Sequence, residues 1–269
     1  MNDVNHLPTY QEEVAQYTKK DAIYALLFFA VIMFFSIVPI LPRGTYVNLA
    51  FTIVLLVALF VFLKIKGQGL RSIGLHFMDW KKAFAAGLFF MAVFLMLKDG
   101  LLPGLIGGWQ MQSVGALTGV IALTLIQAFY EDVIHIGYIQ TRLYGLIKND
   151  YLAVFVGAVI FAVSHFPWHF RMAIASDGGV GFGFLSNLAL LTIMWVVFHV
   201  FANIIFRNLH SIIPVTLFHF SWNLSRGRLW LADYGNGFNE SLSIGIAFGS
   251  VFLVVWVVLP FLKKRKVAK

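Results

Sequence analysis

The sequence predicts an all-α polytopic membrane protein. Of its 269 residues, 60% are hydrophobic and only 12% are charged, which is more apolar than a water-soluble domain. The apolar runs extend over roughly 20 residues, the length that an α-helix needs to cross a bilayer, and they lack the alternating pattern of an outer-membrane barrel. We therefore expect about eight transmembrane helices that form a single transmembrane domain, 1–269, with an intramembrane polar cavity.

The predicted elements follow the chain in order, beginning with a polar N-terminal segment at residues 1–20. The stretch 69–82 mixes bases with Leu, Phe and Trp, a composition typical of a segment that lies in the membrane interface. A basic tail at 263–269 follows the last apolar run. The predicted spans are 21–41, 46–64, 82–98, 114–146, 151–166, 185–206, 211–224 and 242–262.

The distribution of basic residues predicts the orientation of these spans. If the N-terminus is cytoplasmic, fifteen of the twenty Lys and Arg residues fall on the cytoplasmic side, where such residues accumulate. We therefore expect both termini to be cytoplasmic, in a bacterial plasma membrane. The net charge of +8 then reflects topology and attraction to the lipid bilayer, and nucleic acid is not an expected partner. The absence of cysteine excludes disulfides, thiolate metal sites and a cysteine nucleophile.

Several polar residues interrupt otherwise apolar spans. Because an ionisable side chain in hydrocarbon costs several kcal/mol, such residues usually face the bundle interior and mark a functional site. At a rise of about 1.5 Å per residue, the polar groups of the fourth, fifth and seventh spans all lie roughly 20 Å from the cytoplasmic face. If these three spans are neighbours, we expect one compact polar cluster. Its members are Glu131, Asp132, His135, His165, His219 and Asn223.

The residue types in this cluster favour hydrolysis by an activated water molecule. A carboxylate accepts a proton from water, imidazoles polarise a carbonyl or bind a metal, and an Asn amide donates to a developing oxyanion. The sequence contains neither Gly-x-Ser-x-Gly nor His-Glu-x-x-His, which are signatures of serine hydrolases and zinc peptidases. A lone buried histidine can equally be a structural hydrogen-bonding group, and both interpretations stay open for His199. We interpret His76, His169 and His210 as structural.

Three short motifs in this region resemble those of the CPBP family of intramembrane peptidases, the CAAX protease and bacteriocin-processing family that is also called Abi. That family carries Glu-Glu-x-x-x-Arg, Phe-x-x-x-His and His-x-x-x-Asn or Asp on successive helices. Here the corresponding residues are Glu131-Asp132 followed by Ile136, then Phe161 with His165, then His219 with Asn223. The resemblance covers a motif core of about 114–224. The first motif is degenerate, because the second acid is Asp132 instead of a glutamate and Ile136 occupies the position of the arginine.

The resemblance implies a role for each matching residue. Glu131 would be the general base for water, His165 would orient that water, and His219 with Asn223 would stabilise the oxyanion, while Asp132 and His135 support them. The resemblance leaves the cofactor open between none and Zn²⁺, and a zinc ion would be held by Glu131, His165 and His219.

The resemblance also leaves the activity open between two classes of protein. The first is an endopeptidase that processes a bacteriocin or other peptide precursor, or that provides self-immunity. The second is a degenerate member that binds a membrane partner and regulates it, an alternative favoured by Ile136 in the arginine position. A transporter that uses the buried acid as a proton relay is a third alternative.

Overall fold

The structure is a computed structural model that describes residues 9–37, 45–76, 79–101, 109–111, 114–175, 180–224, 230–232 and 249. The all-α prediction is confirmed. The α-helices within these ranges are α1 Tyr10–Ala15, α2 Lys19–Ile37, α3 Thr45–Ile65, α4 Trp80–Leu95, α5 Val114–Asp132, α6 Asp150–Ser164, α7 Phe166–Ala175, α8 Phe182–Leu209 and α9 Ile212–Leu224. Shorter elements are a 3-10 turn at Leu70–Ile73, π-helical segments at Met96–Leu101 and Val133–Gln140, and an α-helical turn at Thr141–Leu143.

A small antiparallel ribbon is the other regular element in the described residues. Strand β1, Trp109–Met111, pairs with β2, Trp230–Ala232, with Gln110 opposite Leu231. The ribbon joins a segment before α5 to one after α9.

Five helices in the described part of the chain are long and apolar enough to cross a membrane, which confirms an integral membrane protein. They are Lys19–Ile37, Trp80–Lys98, Thr118–Leu143, Asp150–Ile174 and Phe182–Leu209, and the shorter apolar helices are Leu49–Ile65 and Ile212–Leu224. These seven correspond in order to the first seven predicted spans. The eighth predicted span, 242–262, lies outside the described residues apart from residue 249, as do residues 1–8 and the tail 263–269.

The helices expose large apolar side chains and bury small ones. Val54 on α3 and Ile193 on α8 are each 61% exposed, whereas Ala22 and Ala25 on α2 are fully buried. Exposed apolar side chains have no hydrophobic penalty when lipid tails surround them, because the tails are as apolar as the side chains. Small residues let helices approach closely. This distribution is therefore the one expected of helices in hydrocarbon.

The fifth span is longer than its predicted boundary at residue 166. Helix α6 ends at Ser164, His165 breaks the regular pattern, and α7 continues to Ala175. Pro167 lies in the first turn of α7, where a missing backbone N–H removes no helical hydrogen bond. His165 consequently lies at a helix junction within the span rather than at its end.

The chain divides into two compact units. The first comprises Met1–Gly74 and Val133–Asn203, and the second comprises Leu75–Asp132 and Ile204–Lys269. In the second unit α9 packs against both α4 and α5. Close contact with α4 occurs at Gly87, where an added Cβ would lie 2.9 Å from the Cα of Pro214.

Arg142 joins several segments of the first unit through hydrogen bonds. Its buried guanidinium donates to the carbonyl of Ser72 at 2.9 Å, the hydroxyl of Ser72 at 2.7 Å and the Oε1 of Gln68 at 2.8 Å. It also donates to the carbonyl of Gly137 at 3.1 Å and lies over the Tyr17 ring. Tyr17 is buried, and burial raises the pKa of its hydroxyl above the ordinary value. The planar, multiply donating guanidinium therefore joins the 3-10 turn Leu70–Ile73 to the π-helical segment Val133–Gln140.

Candidate active site

Two adjacent acids lie at the C-terminal end of helix α5. Glu131 and Asp132 are the last two residues of α5, and the π-helical segment Val133–Gln140 follows at once. The side chain of Glu131 is 14% exposed and that of Asp132 is fully buried. Successive side chains on an α-helix point about 100° apart, so the two acids face different surroundings. A π-helical segment beside them is a feature that often accompanies functional sites.

His219 on α9 contacts both acids. Its Nδ1 lies 2.9 Å from the Oδ1 of Asp132, and its Nε2 lies 3.5 Å from the Oε2 of Glu131. An ionised carboxylate only accepts hydrogen bonds, so the Nδ1–H of His219 donates to Asp132. This hydrogen bond fixes the orientation of the ring and turns its Nε2 edge toward Glu131.

Gln127 holds the other oxygen of Glu131. Its Nε2 donates to the Oε1 of Glu131 at 2.8 Å, from one turn earlier on the same helix. Both carboxylate oxygens of Glu131 are thus oriented, one by Gln127 and one beside His219. Gln127 was not among the predicted site residues, although its position four residues before Glu131 was a usable signal.

Asn223 lies one turn after His219 on α9 and is half-buried. Its Nδ2 is buried and has no hydrogen-bond partner among the residues that the structure describes. Buried donors are nearly always paired, and the exceptions call for an explanation. A donor in this state is suited to an oxygen that arrives with a substrate.

His165 belongs to the first unit and is oriented by its own helix. Its Nδ1 lies 2.9 Å from the carbonyl oxygen of Phe161. A carbonyl accepts only, so Nδ1 carries the proton and Nε2 is the basic nitrogen of the neutral ring. The half-buried imidazole also stacks on the indole of Trp195, with ring centroids 4.4 Å apart.

The structure groups the predicted site residues in two sets. Glu131, Asp132 and His219 are in direct contact within the second unit, and Asn223 follows on the same helix as His219. His165 lies in the first unit, and its place in a common site with Glu131 stays a prediction.

His135 also lies in the first unit, on the π-helical segment. Its ring is 5.3 Å from that of Phe161 and 6.2 Å from that of Phe29. His135 is four residues after Glu131 in the sequence, a spacing that aligns side chains on an α-helix, but it lies in a π-helical segment, whose i→i+5 hydrogen bonds change which residues align.

The remaining histidines occupy three different environments. His199 is fully buried and stacks on the ring of Phe161 at 5.0 Å, beside the second motif. His169 lies within α7, with its ring 5.1 Å from that of Trp195. His76 donates through Nε2 to the carbonyl of His210 at 2.7 Å, at the turn before α9, which agrees with a structural role for this pair.

The described side chains do not form a metal-binding group. No set of three or more His, Cys, Asp or Glu residues within the described ranges is placed to hold a metal ion. Zinc sites use at least three protein ligands, and the contact between Glu131 and His219 supplies two. Within the second unit these two residues supply part of a zinc site, and zinc binding by Glu131, His165 and His219 stays a prediction.

Part of the chain matches a known protein family. Residues 113–225 match the family described as type II CAAX prenyl endopeptidase Rce1-like. No curated protein matches the chain. The matched segment contains all three motifs and supports, at this coarse level, an intramembrane protease of the CAAX type. Residues 113–225 are thus similar to the Rce1-like family, which confirms the resemblance to the CPBP intramembrane peptidases that the three motifs indicate.

Proposed function

We propose that this protein is an intramembrane peptidase that hydrolyses a peptide bond of a membrane-associated peptide or protein. The observation that carries the proposal is the position of His219, 2.9 Å from Asp132 and 3.5 Å from Glu131. Two acids in contact with one imidazole inside a membrane-spanning helix bundle have a high desolvation cost, which a catalytic role would explain. The family match supports the same class of reaction.

In the proposed reaction Glu131 is the general base. Its carboxylate takes a proton from water as the water oxygen bonds to the scissile carbonyl carbon, and the carbonyl becomes an oxyanion. Gln127 holds the second carboxylate oxygen and so keeps the base in one orientation. His165, whose Nδ1 is committed to the Phe161 carbonyl, presents Nε2 as an acceptor that orients the water.

His219 and Asn223 form the oxyanion side. The Nδ2 of Asn223 is a buried donor that would stabilise the negative oxygen. Asp132 holds the His219 ring so that its Nε2 edge faces Glu131, and Nε2 becomes a donor to the oxyanion once it shares the proton that Glu131 has taken from water. Collapse of the tetrahedral intermediate breaks the C–N bond, and Glu131 returns the proton to the departing amine.

The substrate that we propose is a membrane-associated peptide precursor, as in bacteriocin processing or self-immunity, and the proposed location is a bacterial plasma membrane with both termini of the peptidase cytoplasmic. The distribution of basic residues supports cytoplasmic termini. The description of the matched family names prenylated CAAX proteins, and these form the competing substrate class. Cleavage assays that offer both a leader peptide and a prenylated C-terminal peptide distinguish the two.

A regulatory protein without peptidase activity is the second candidate, and Ile136 favours it. Ile136 is fully buried where the resembling family has an arginine. A guanidinium at this position would hold an adjacent acid ionised and in place, which an alkyl chain cannot do. Ile136→Arg separates the two candidates, because increased cleavage indicates an impaired enzyme, whereas no cleavage by either protein indicates a regulator.

The direct test pairs Glu131→Ala with His219→Ala in purified protein reconstituted in lipid nanodiscs. Loss of a general base or of an oxyanion donor lowers the rate by about 100-fold or more, and we expect this for each variant. Leu125→Ala is the matched control, because Leu125 lies on α5 but is 38% exposed. Wild-type cleavage by both correctly inserted variants would exclude the proposed mechanism.

A further inference from the structure

Trp195 on α8 has a contact that none of the three motifs includes. Its indole lies nearly parallel to the imidazole of His165, with centroids 4.4 Å apart and planes 20° apart. Trp195 is only 3% exposed, so the stack is inside the protein and not on a lipid-facing surface. A large side chain that is this deeply buried has little freedom to leave its position.

The stack completes a set of constraints on the His165 ring. The hydrogen bond from Nδ1 to the carbonyl of Phe161 fixes one edge but leaves rotation about that bond. The second side-chain torsion of histidine is intrinsically broad, so a single bond does not define the ring plane. The Phe161 ring meets the imidazole edge-on at 4.8 Å and 70°, and Trp195 covers a face. Together the bond and the two rings define one orientation.

The backbone places Trp195 for this contact. Phe161 and His165 are four residues apart on one helix, and their stacking partners His199 and Trp195 are four residues apart on α8. Residues at this spacing share a helix face, so the two stacks belong to one helix-to-helix contact. The Trp195 indole also lies 5.1 Å from the ring of His169, one turn beyond His165.

From this geometry, and resting on the peptidase function proposed above, we propose that Trp195 is the positioning residue for His165. Trp195 holds the imidazole so that Nε2 points in the direction that hydrolysis requires. The indole has no proton to exchange in this reaction, and its contribution is the fixed ring plane. Displacement of a reacting group by about 1 Å costs on the order of 100-fold in rate, so a lost stack affects turnover more than binding.

The kinetic test compares Trp195→Leu with Trp195→Phe in reconstituted, full-length protein. Trp195→Leu removes the flat aromatic face, and we expect kcat to fall about tenfold or more while KM stays within about threefold. Trp195→Phe keeps an aromatic face and should retain kcat within about threefold of wild type. Trp168→Leu is the matched control, since Trp168 is 52% exposed, and it should keep the wild-type kcat.

A spectroscopic test reports the stack without any substrate. The protein is labelled with isotopic histidine, reconstituted in nanodiscs and studied by NMR, and the His165 signals are assigned by their absence in His165→Gln. The ring protons of His165 should show an upfield ring-current shift. We expect Trp195→Leu to abolish this shift and Trp195→Phe to retain most of it. If the shift disappears in Trp195→Leu while kcat stays at the wild-type value, or if only KM rises, Trp195 is not a positioning residue for His165.

The two tests also separate this inference from the proposed function. If the wild type cleaves peptides and Trp195→Leu cleaves them equally well, the inference is wrong and the peptidase function stands. If the wild type shows the ring-current shift but cleaves neither class of peptide, the peptidase function is wrong, and a positioning role in hydrolysis is excluded with it.

Discussion

The Nδ1 of His219 lies 2.9 Å from the Oδ1 of Asp132, so the acid that departs from the family pattern is the one that orients the histidine. Asp132 is fully buried and His219 is 3% exposed, and a charged hydrogen bond in such a position is short and directional. The shorter Asp side chain therefore suffices for this contact. In our proposal Asp132 acts on the reaction through His219.

Asp132→Asn tests that relationship. An Asn at this position retains the shape but loses the negative charge, and the amide can present a donor toward Nδ1 and so select the wrong tautomer. We expect kcat to fall about 100-fold, within the range for general acid–base groups, while the thermal midpoint changes little. Asp132→Glu restores the family residue and keeps the charge, and it should retain more activity than Asp132→Asn. Equal activity of the Asn and wild-type proteins would exclude the orienting role.

Asn223→Leu separates catalysis from stability. Since Nδ2 of Asn223 has no partner among the described residues, its removal sacrifices no hydrogen bond there, and the apolar side chain relieves a buried polar group. We expect an unchanged or higher unfolding midpoint together with a 100-fold or larger loss of kcat, roughly the effect of deleting one oxyanion donor. Thermal unfolding and single-turnover cleavage in the same nanodisc preparation provide both values. A destabilised protein with normal turnover per folded molecule would make Asn223 structural.

The class of fold could be predicted because bilayer thickness sets the length of an apolar run. The predicted span 46–64 corresponds to Thr45–Ile65, and 211–224 corresponds to Ile212–Leu224. The π-helical segment Val133–Gln140 could not be predicted, since hydropathy does not encode which backbone hydrogen bond a helix uses. The continuation beyond Pro167 was missed for a related reason, because proline stops a helix in its interior but not in its first turn.

The candidate site was partly predictable on the same physical basis. Glu131 and Asp132 are conspicuous in an apolar span, because an acid in hydrocarbon is energetically costly and is therefore rarely present without a function. Their contact with His219 depends on side-chain rotamers and helix packing, which a single sequence does not specify. Trp195 was not identified, since aromatic residues are common in membrane helices and nothing local in the sequence indicates a stack on a distant histidine.

Arg142→Lys tests the hydrogen-bond network around Arg142 in the first unit. Lysine keeps the charge but cannot reproduce the donor fork that reaches Ser72, Gln68 and Gly137. Leaving buried acceptors unpaired costs about 1–3 kcal/mol, and we expect a loss of that size in the free energy of unfolding. Denaturant titration of the protein in mixed micelles measures this loss. Lys82→Ala, which breaks only an exposed pair with Asp79, should change it by less than about 1 kcal/mol.

Gly87→Ala tests the packing that places α9, and with it His219, against α4. An added Cβ would lie 2.7 Å from the Cδ1 of Leu217 and 2.9 Å from the Cα of Pro214. The leucine side chain can move, but the backbone atom cannot without shifting α9, so we expect a loss of about 1–3 kcal/mol of stability. Gly119 on α5 is the matched control, because a Cβ there meets no atom within 4 Å, and Gly119→Ala should be neutral or slightly stabilising. If both variants unfold at the wild-type denaturant concentration, the close approach of α4 and α9 is wrong.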